Sequence, residues 1–508
     1  MEGREQQQRD RFRGCLLGLA AGDALGTTLE FLKADPDHPL TDMVGGGKYA
    51  LMAGQWTDDT SMALCLAESL IECRGTFDPC DQLRRYCQWY REGHLSSNGE
   101  CFDIGITTRM SMFEFEKTGN PYPASTGDKA RAGNGSLMRL CPVPLLLFFL
   151  ASSPSNQEEQ RMRLLKTAED SSRTTHGAQA CLDACRFYAA LLVGALQPNI
   201  TKEELLSPSF FSSFLSSSTE TAEQAERSKW LTLVPEVEEV ANGSYKHKEP
   251  PEEITGKGYV VSSLEAALWA FHKSNSFEEG ALLVANLGDD ADTTTAIYGQ
   301  VAGAFYGAEA IPEGWRRKLA LAPLIEAFAD ELYSLSQQLR DGGEVVLSEN
   351  YRAAQTCYQL LEKGWQPIQR RLTPGPRMYT SVTSFLNDES QLKQHYFEAL
   401  ASSSSSPFGD ALWQDFEHRF RYVEQQLRNR TGEVVKKEEA EPSTASSFLP
   451  PPPPAPLAPP PLPLMKDGEK EKEEGRGQLL SAIQAFSKAG LSKTETKDKS
   501  GLILPEDN

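Results

Sequence analysis

The chain is predicted to be all-α, with a large helical domain, a helical extension and a disordered tail. Three observations predict this. Apolar residues recur at helical spacing in MALCLAESLIEC, AQACLDACRFYAALLVGAL and TTAIYGQVAGAFYGAEA. Alternating, β-branched strand patterns are nearly absent between Arg11 and about Arg340. After Gly432 the composition turns to charged residues and proline, which cannot build a core.

In chain order, the segment from Met1 to Gly26 carries only a short apolar run, interrupted by Gly22 and Asp23, so it makes a poor secretory signal. PVPLLLFFLA, from Pro142 to Ala151, is a helix too short to cross a bilayer. Cys181 and Cys185 lie one helical turn apart, as two buried residues on one face do. Gly299, Gly303 and Gly307 recur every four residues, a small-residue stripe that lets a neighbouring helix approach closely. Glycine- and proline-rich stretches, VGGGKYALMAGQ, KTGNPYPASTGDKARAGNGS and PEVEEVANGSYKHKEPPEEITGKG, mark loops. Residues 345–430 hold two or three further helices, around YRAAQTCYQLLEKGW and ALWQDFEHRFRYVEQQLRNR, with a serine run at Ser402–Ser406. A proline run from Pro450 to Pro463 then takes the extended polyproline form, before GQLLSAIQAFSKAG returns to helical spacing. The expected division is 1–340, 341–430, 431–475 and 476–508.

Bulk properties narrow the function. The formal charge of −20 over 508 residues argues against a phosphate-backbone or anionic-membrane partner, and the 39% apolar content supplies a large core. Ten cysteines, with neither a CxxC pair nor a zinc-like cluster with histidine, suit reduced thiols and a cytoplasmic protein.

Two segments share a design. GQWTDDTSMALCLAESL (54–70) and LGDDADTTTAIYGQ (287–300) each place acids and threonines just before a long helix. Helix capping explains one acid at such a start. Asp58 with Asp59, and Asp290 with Asp292 and Thr293, aim paired carboxylates and a hydroxyl, and Glu30 follows nearby in GDALGTTLEF. Gathering these acids without counter-ions is unfavourable, since two like charges ~4 Å apart repel by roughly 4 kcal/mol at an effective dielectric near 20. Neither motif contains Lys or Arg. Oxygen-only ligation of this kind suits magnesium or manganese, with calcium as a further candidate, rather than zinc.

Five motifs in order, GDALGTTLEF, WTDDTSMA, FDIGITT, AGNGSLMR and GDDADTTTA, with SSRTTHGA between the last two, resemble the ADP-ribosylglycohydrolase family from Arg11 to about Gly307. The resemblance implies an orthogonal all-helical domain with a two-metal centre of magnesium or manganese ions, held by Thr57, Asp58, Asp59, Asp290, Asp292 and Thr293. The family's usual GGDTDT stands here as GDDADT, with Asp289 and Ala291 as departures that leave both ligand aspartates. Glu30 falls beside the metals, and Asp103 in FDIGITT is the implied acid or base near the ribose, with Glu30 its rival and a helix N-cap its simpler alternative. On the substrate side stand Gly105, His176 and the glycine turn Gly133, Asn134 and Gly135, whose backbone amides can meet a diphosphate. The implied activity is removal of ADP-ribose from a modified protein, with arginine favoured over serine because of FDIGITT.

Residues 476–501 resemble the WASP-homology 2 and β-thymosin actin-binding motif. Leu479, Leu480 and Ile483 match anchors of a helix seated in a groove, and LSKTET (491–496) matches the extended part, with Ser492 in place of a lysine. The resemblance implies monomeric actin as a partner, and the proline run suits profilin-like or SH3-like binders. A cytoskeleton-associated setting follows. Two alternatives stay open: a non-catalytic ADP-ribose or actin scaffold on the same fold, and a metal hydrolase acting on another nucleotide-like glycoside.

Overall fold

The computed structural model describes residues 2–123, 127, 129–215, 229–372, 378–401 and 408–431. The proline-rich linker and the actin-binding resemblance at 476–508 lie outside the described residues, as does the serine run at Ser402–Ser406. Met1–Val435 form one unit of contacts. Its principal helices are α1 (Glu2–Gly26), α2 (Asp58–Glu72), α3 (Pro79–Glu92), α4 (Ile106–Thr118), α5 (Pro142–Ser152), α6 (Gln157–Arg173), α7 (Gln179–Ala195), α8 (Val260–Lys273), α9 (Phe277–Ala285), α10 (Ala291–Tyr306), α11 (Ala322–Asp341), α12 (Glu349–Gln369), α13 (Val382–Ala401) and α14 (Phe408–Thr431). Among the described residues the only β pairing is in isolated bridges, as the absence of strand patterns predicts. No described helix is long and apolar enough to cross a membrane.

The centre of the unit is the pair α1 and α10. A Cβ placed on Gly14, Gly18, Gly22 or Gly26 would overlap the backbone of Gly303, Gly299, Thr295 and Ala291 in turn, and one on Gly299 or Gly303 would strike α1. The two backbones therefore touch along four turns, with side chains of neither helix between them. The stripe in α10 is the one expected from sequence; Gly307 differs, ending the helix at a positive φ of 88°. The matching stripe in α1 escapes a search for apolar periodicity, because it is written in glycine. Around this pair α2, α5, α7, α8 and α9 pack their apolar faces, and α5 is buried over most of its length. Cys181 and Cys185 are both buried on α7, and all ten cysteines are free.

Helices α12 to α14 supply the helical extension and are not a detached appendage. Tyr351 donates to Glu72 Oε1 (3.0 Å), and the Leu95 amide donates to the Tyr358 hydroxyl (2.7 Å). Buried His94 sits between Glu362 on α12 (Nδ1 to Oε1, 2.8 Å) and Glu68 on α2 (Nε2 to Oε2, 2.8 Å). Two carboxylate partners require both ring nitrogens to donate, so the ring is an imidazolium. Burial opposes that charge, but Glu68 and Glu362 outweigh it and hold the His94 pKa at about 10. Burial likewise opposes the Glu68 carboxylate, and His94 and Arg85 more than offset this, holding it at about 2.

Two predictions follow from the packing. Gly299→Val forces α1 and α10 apart and is expected to lower stability by about 3 kcal/mol or more, measured as a fall in the unfolding midpoint, since overpacking against unyielding backbone exceeds the usual side-chain penalty. The raised His94 pKa gives stability that is fully present below its unfolded value near 6.5 and is lost as pH rises toward about 10. Denaturant midpoints are therefore expected to fall between pH 6 and pH 10, and His94→Gln to flatten that dependence.

Candidate metal and ligand site

Where α1 ends and α2 and α10 begin, the chain gathers its acids. Asp23, in the last turns of α1, is fully buried and takes four hydrogen bonds: from the Thr57 amide and hydroxyl (2.8 and 2.9 Å) and from the Thr60 amide and hydroxyl (3.0 and 2.7 Å). It thereby fixes the first turn of α2. The sequence argument did not single out Asp23, which sits between glycines inside the first motif; only its place in a predicted buried stretch could have marked it.

The capping alternative fails at both helix starts. Neither Thr57, the N-cap of α2, nor Asp290, the N-cap of α10, makes a side-chain capping bond. The Thr57 side chain turns instead toward the second motif, and that of Asp290 toward Asn134. The Thr57 hydroxyl lies 2.9 Å from Asp23 Oδ1, 3.0 Å from Asp59 Oδ2 and 3.3 Å from Asp292 Oδ2. A hydroxyl has one proton, so it cannot satisfy three carboxylates at once. Asp290 Oδ2 accepts from Asn134 Nδ2 (2.7 Å), which also reaches Ser263. Asp103 is no helix cap either: Gly105 occupies that position in α4. Its Oδ1 accepts the Tyr49 hydroxyl (2.9 Å), and its carboxyl group lies beside those of Glu30 and Asp292.

Glu30 is held in place from the second motif. The Phe31 amide donates to Asp289 O (2.6 Å) and the Asp289 amide donates to Leu32 O (2.7 Å), a tie continued by the bridge between Lys33 and Gly288. Asp289 adopts a positive φ of 56°, which explains why glycine is the usual residue there and shows that the substitution is absorbed as local strain.

These elements enclose a cavity of about 610 Å³. Glu30, Asp58, Asp103, Asp290, Thr293, Gly105, Gly133, Asn134, Gly135 and His176 all line it. Thr57, Asp59 and Asp292 lie behind the acidic wall, fully or almost fully buried. The structure thus brings together every acid and substrate-side residue singled out from the sequence. One detail differs. The Asn134 amide, expected to meet a diphosphate, donates to Gly258 O (3.2 Å), so this residue acts through its side chain on Asp290. Lys257, which lines the cavity and lies in a stretch read only as loop, supplies a cation that the sequence argument lacked.

His176 is neutral: burial, aided by Arg139, pushes its pKa down to about 3. Arg139 donates to the Thr175 hydroxyl (2.7 Å), which faces His176 Nδ1 at 2.8 Å. Nε2 is the ring nitrogen beside Gly133 and Gly135.

The acids are electrostatically incomplete by themselves. Burial, then Asp103 and Asp290, push Glu30 up to about 10. Burial and neighbouring carboxylates raise Asp58, Asp59 and Asp292 far above the usual range, and burial raises Asp103 and Asp290. Asp59 Oδ1, Asp292 Oδ1 and Glu30 Oε2 are buried without a hydrogen-bond partner. Orphaned carboxylate oxygens beside a triply contacted hydroxyl fit a cation of the hard, oxygen-seeking kind. Two groups have the spacing to hold one, Asp23–Asp59–Asp292 and Glu30–Asp103–Asp292, and Asp292 belongs to both.

Adding Mg²⁺ to the intact chain is expected to raise its unfolding midpoint, by mass action on the folded state. Asp292→Asn, which removes the shared carboxylate, is expected to abolish that gain while raising the midpoint in chelator, because one buried like charge is gone. An unchanged response to Mg²⁺ in the variant would show that the ion acts elsewhere.

Comparison with known proteins agrees with this geometry. The family model for ADP-ribosylglycohydrolase matches residues 4–342, and that for the WH2 motif matches residues 472–501. The chain is 40% identical over 334 residues to ADP-ribosylarginine hydrolase Tri1 of Pseudomonas putida (strain GB-1), covering 66% of this chain and 81% of that protein. It is 30% identical over 321 residues to the ADP-ribosyl-[dinitrogen reductase] glycohydrolase of Rhodospirillum rubrum, covering 61% of this chain and 90% of the relative. Among solved structures, a chain of an ADP-ribosylglycohydrolase-related protein complex is similar at a TM-score of 0.53 and 42% identity, over 65% of this chain and 99% of the other. With its motifs gathered into one acid-walled cavity and two thirds of its length matched, the chain belongs to the ADP-ribosylglycohydrolase family.

Proposed function

We propose that the protein is a metal-dependent hydrolase that removes ADP-ribose from modified side chains, arginine before serine, and that its tail delivers it to actin. The observation that carries the reading is the cavity itself, which gathers carboxylates together with Lys257, His176 and the turn at Gly133–Gly135. Similarity to an ADP-ribosylarginine hydrolase supports arginine. A reader or scaffold would have no need to keep so many mutually repelling buried acids.

Thr57, Asp58, Asp59, Asp290, Asp292 and Thr293 are the proposed ligands of two divalent ions, magnesium or manganese, with Asp23 holding Thr57 in place. Such a pair, when bound, fixes ribose hydroxyls and polarises a water. The chain's own residues do the rest. Glu30 and Asp103 stand side by side as the acid–base pair, with Glu30 pushed up by burial and by Asp103. Asp103, oriented by Tyr49, is placed to take a proton beside the anomeric carbon as oxocarbenium character develops. His176 presents its Nε2 edge, and the start of α4 at Gly105 and the turn at Gly133–Gly135 present backbone dipoles, to the diphosphate.

In this reading residues 1–340 are catalytic, 341–430 are a helical extension, 431–475 are a proline-rich linker able to dock profilin-like or SH3-like domains, and 476–508 bind monomeric actin. The WH2 match supports the last assignment. Tethering raises the effective concentration of an actin-borne substrate without altering the site.

Release of ADP-ribose is measured with magnesium from arginine-modified actin, from serine-modified protein and from a small arginine conjugate. Release from the arginine substrates is expected, with a loss of at least about a hundredfold in Asp58→Ala and Asp290→Ala. Deleting residues 476–508 is expected to lower kcat/KM on actin and leave the small conjugate unaffected. Retained ADP-ribose binding without release from any substrate would favour the scaffold instead.

A further inference from the structure

A second cavity, of about 540 Å³, lies between α14 of the extension and the loop that leads into the first acidic motif. Its size is that of a small-molecule site, and ligand pockets favour such seams between packed units. Its lining inverts the character of the first cavity. Arg317, Lys318, Arg419, Arg421 and His418 face it, against one acid, Asp415, in a chain whose net charge is −20.

Three of the cations have partners at the rim. Lys318 meets Asp42 (2.9 Å), Arg421 meets Glu417 (3.5 Å), and Arg317 meets Glu313. These pairs are largely exposed and therefore weak, so an incoming anion can replace them. Arg419 is different. Its side chain is 6% exposed, and among the described residues no carboxylate forms an ion pair with it. It donates to Ser97 O (2.8 Å) and lies over the Phe416 ring (4.3 Å). A buried cation without a counter-ion is costly unless something supplies the missing charge. Asp415 lies nearby without forming an ion pair with it. Burial pushes this carboxyl up to about 7 although Arg419 draws it down, and its Oδ2 has no hydrogen-bond partner.

We propose that this cavity is a second ligand site, separate from the acid-walled one, that takes a small phosphate-bearing anion against Arg419, Arg317 and Arg421. Five of its thirteen lining residues, Asp415, His418, Arg419, Arg421 and Tyr422, come from the extension, beyond the family match that ends at residue 342. It also adjoins the first site through two hydrogen bonds. Arg419 holds Ser97 O, and the Ser97 hydroxyl donates to Trp56 O (2.6 Å), one residue before Thr57.

Binding of inorganic pyrophosphate and of ADP to the intact chain is measured calorimetrically in chelator, where the acidic cavity repels both. Saturable binding of one anion per chain is expected, falling tenfold or more in the exposed double variant Arg317→Glu/Arg421→Glu and in Arg419→Gln. Equal affinity for the two probes identifies the diphosphate alone as the ligand, and tighter ADP binding identifies a nucleotide. No saturable binding of either probe, or binding unchanged in the folded double variant, would overturn the proposal.

Discussion

The backbone contact between α1 and α10 is the constraint on which the site depends. The first helix ends in the loop that carries Glu30, and the tenth begins with Asp290 and Asp292. Because four glycines of α1 lie against α10 without intervening side chains, these ends meet at a separation that a larger residue would widen. Asp23, one turn before the end of α1, then reaches Thr57 and Thr60 across the same junction. Acid placement is thus set by how closely two helices approach, and the hydrogen bonds refine it.

Such closeness has an electrostatic consequence. Packing excludes water from Asp59 and Asp292, which strengthens their repulsion and leaves oxygens unsatisfied. The fold stores unfavourable charge at one point and compensates with hydrophobic contact around it. A bound cation would turn the same geometry from a liability into a contribution to stability.

The helical class and the acidic motifs were legible because periodicity and paired carboxylates are local signals. WTDDTS and GDDADT sit near helix starts in the sequence as in the structure, and the glycine recurrence in α10 correctly indicated close helix packing. What escaped was relational. Asp23 matters through bonds to residues 34 and 37 positions away. Tyr49 and Lys257 lie in stretches recognised only as loops, and nothing near them in sequence announces Asp103 or a diphosphate. The Asn134 amide was assigned to a ligand because turn composition says nothing of Gly258, which claims it across the cavity. His94 carried no sequence signal; its partners are 26 and 268 residues away.

The bridge at His94 bears on what kind of object the catalytic part is. The family match ends at residue 342, yet the groups that shield buried Glu68 include Gln355 and, through His94, Glu362. Cutting the chain where that match ends would strip those partners from α2, the helix whose first turn carries Asp58 and Asp59. The segment that defines the family and the segment that holds itself together are therefore different lengths of the same polypeptide.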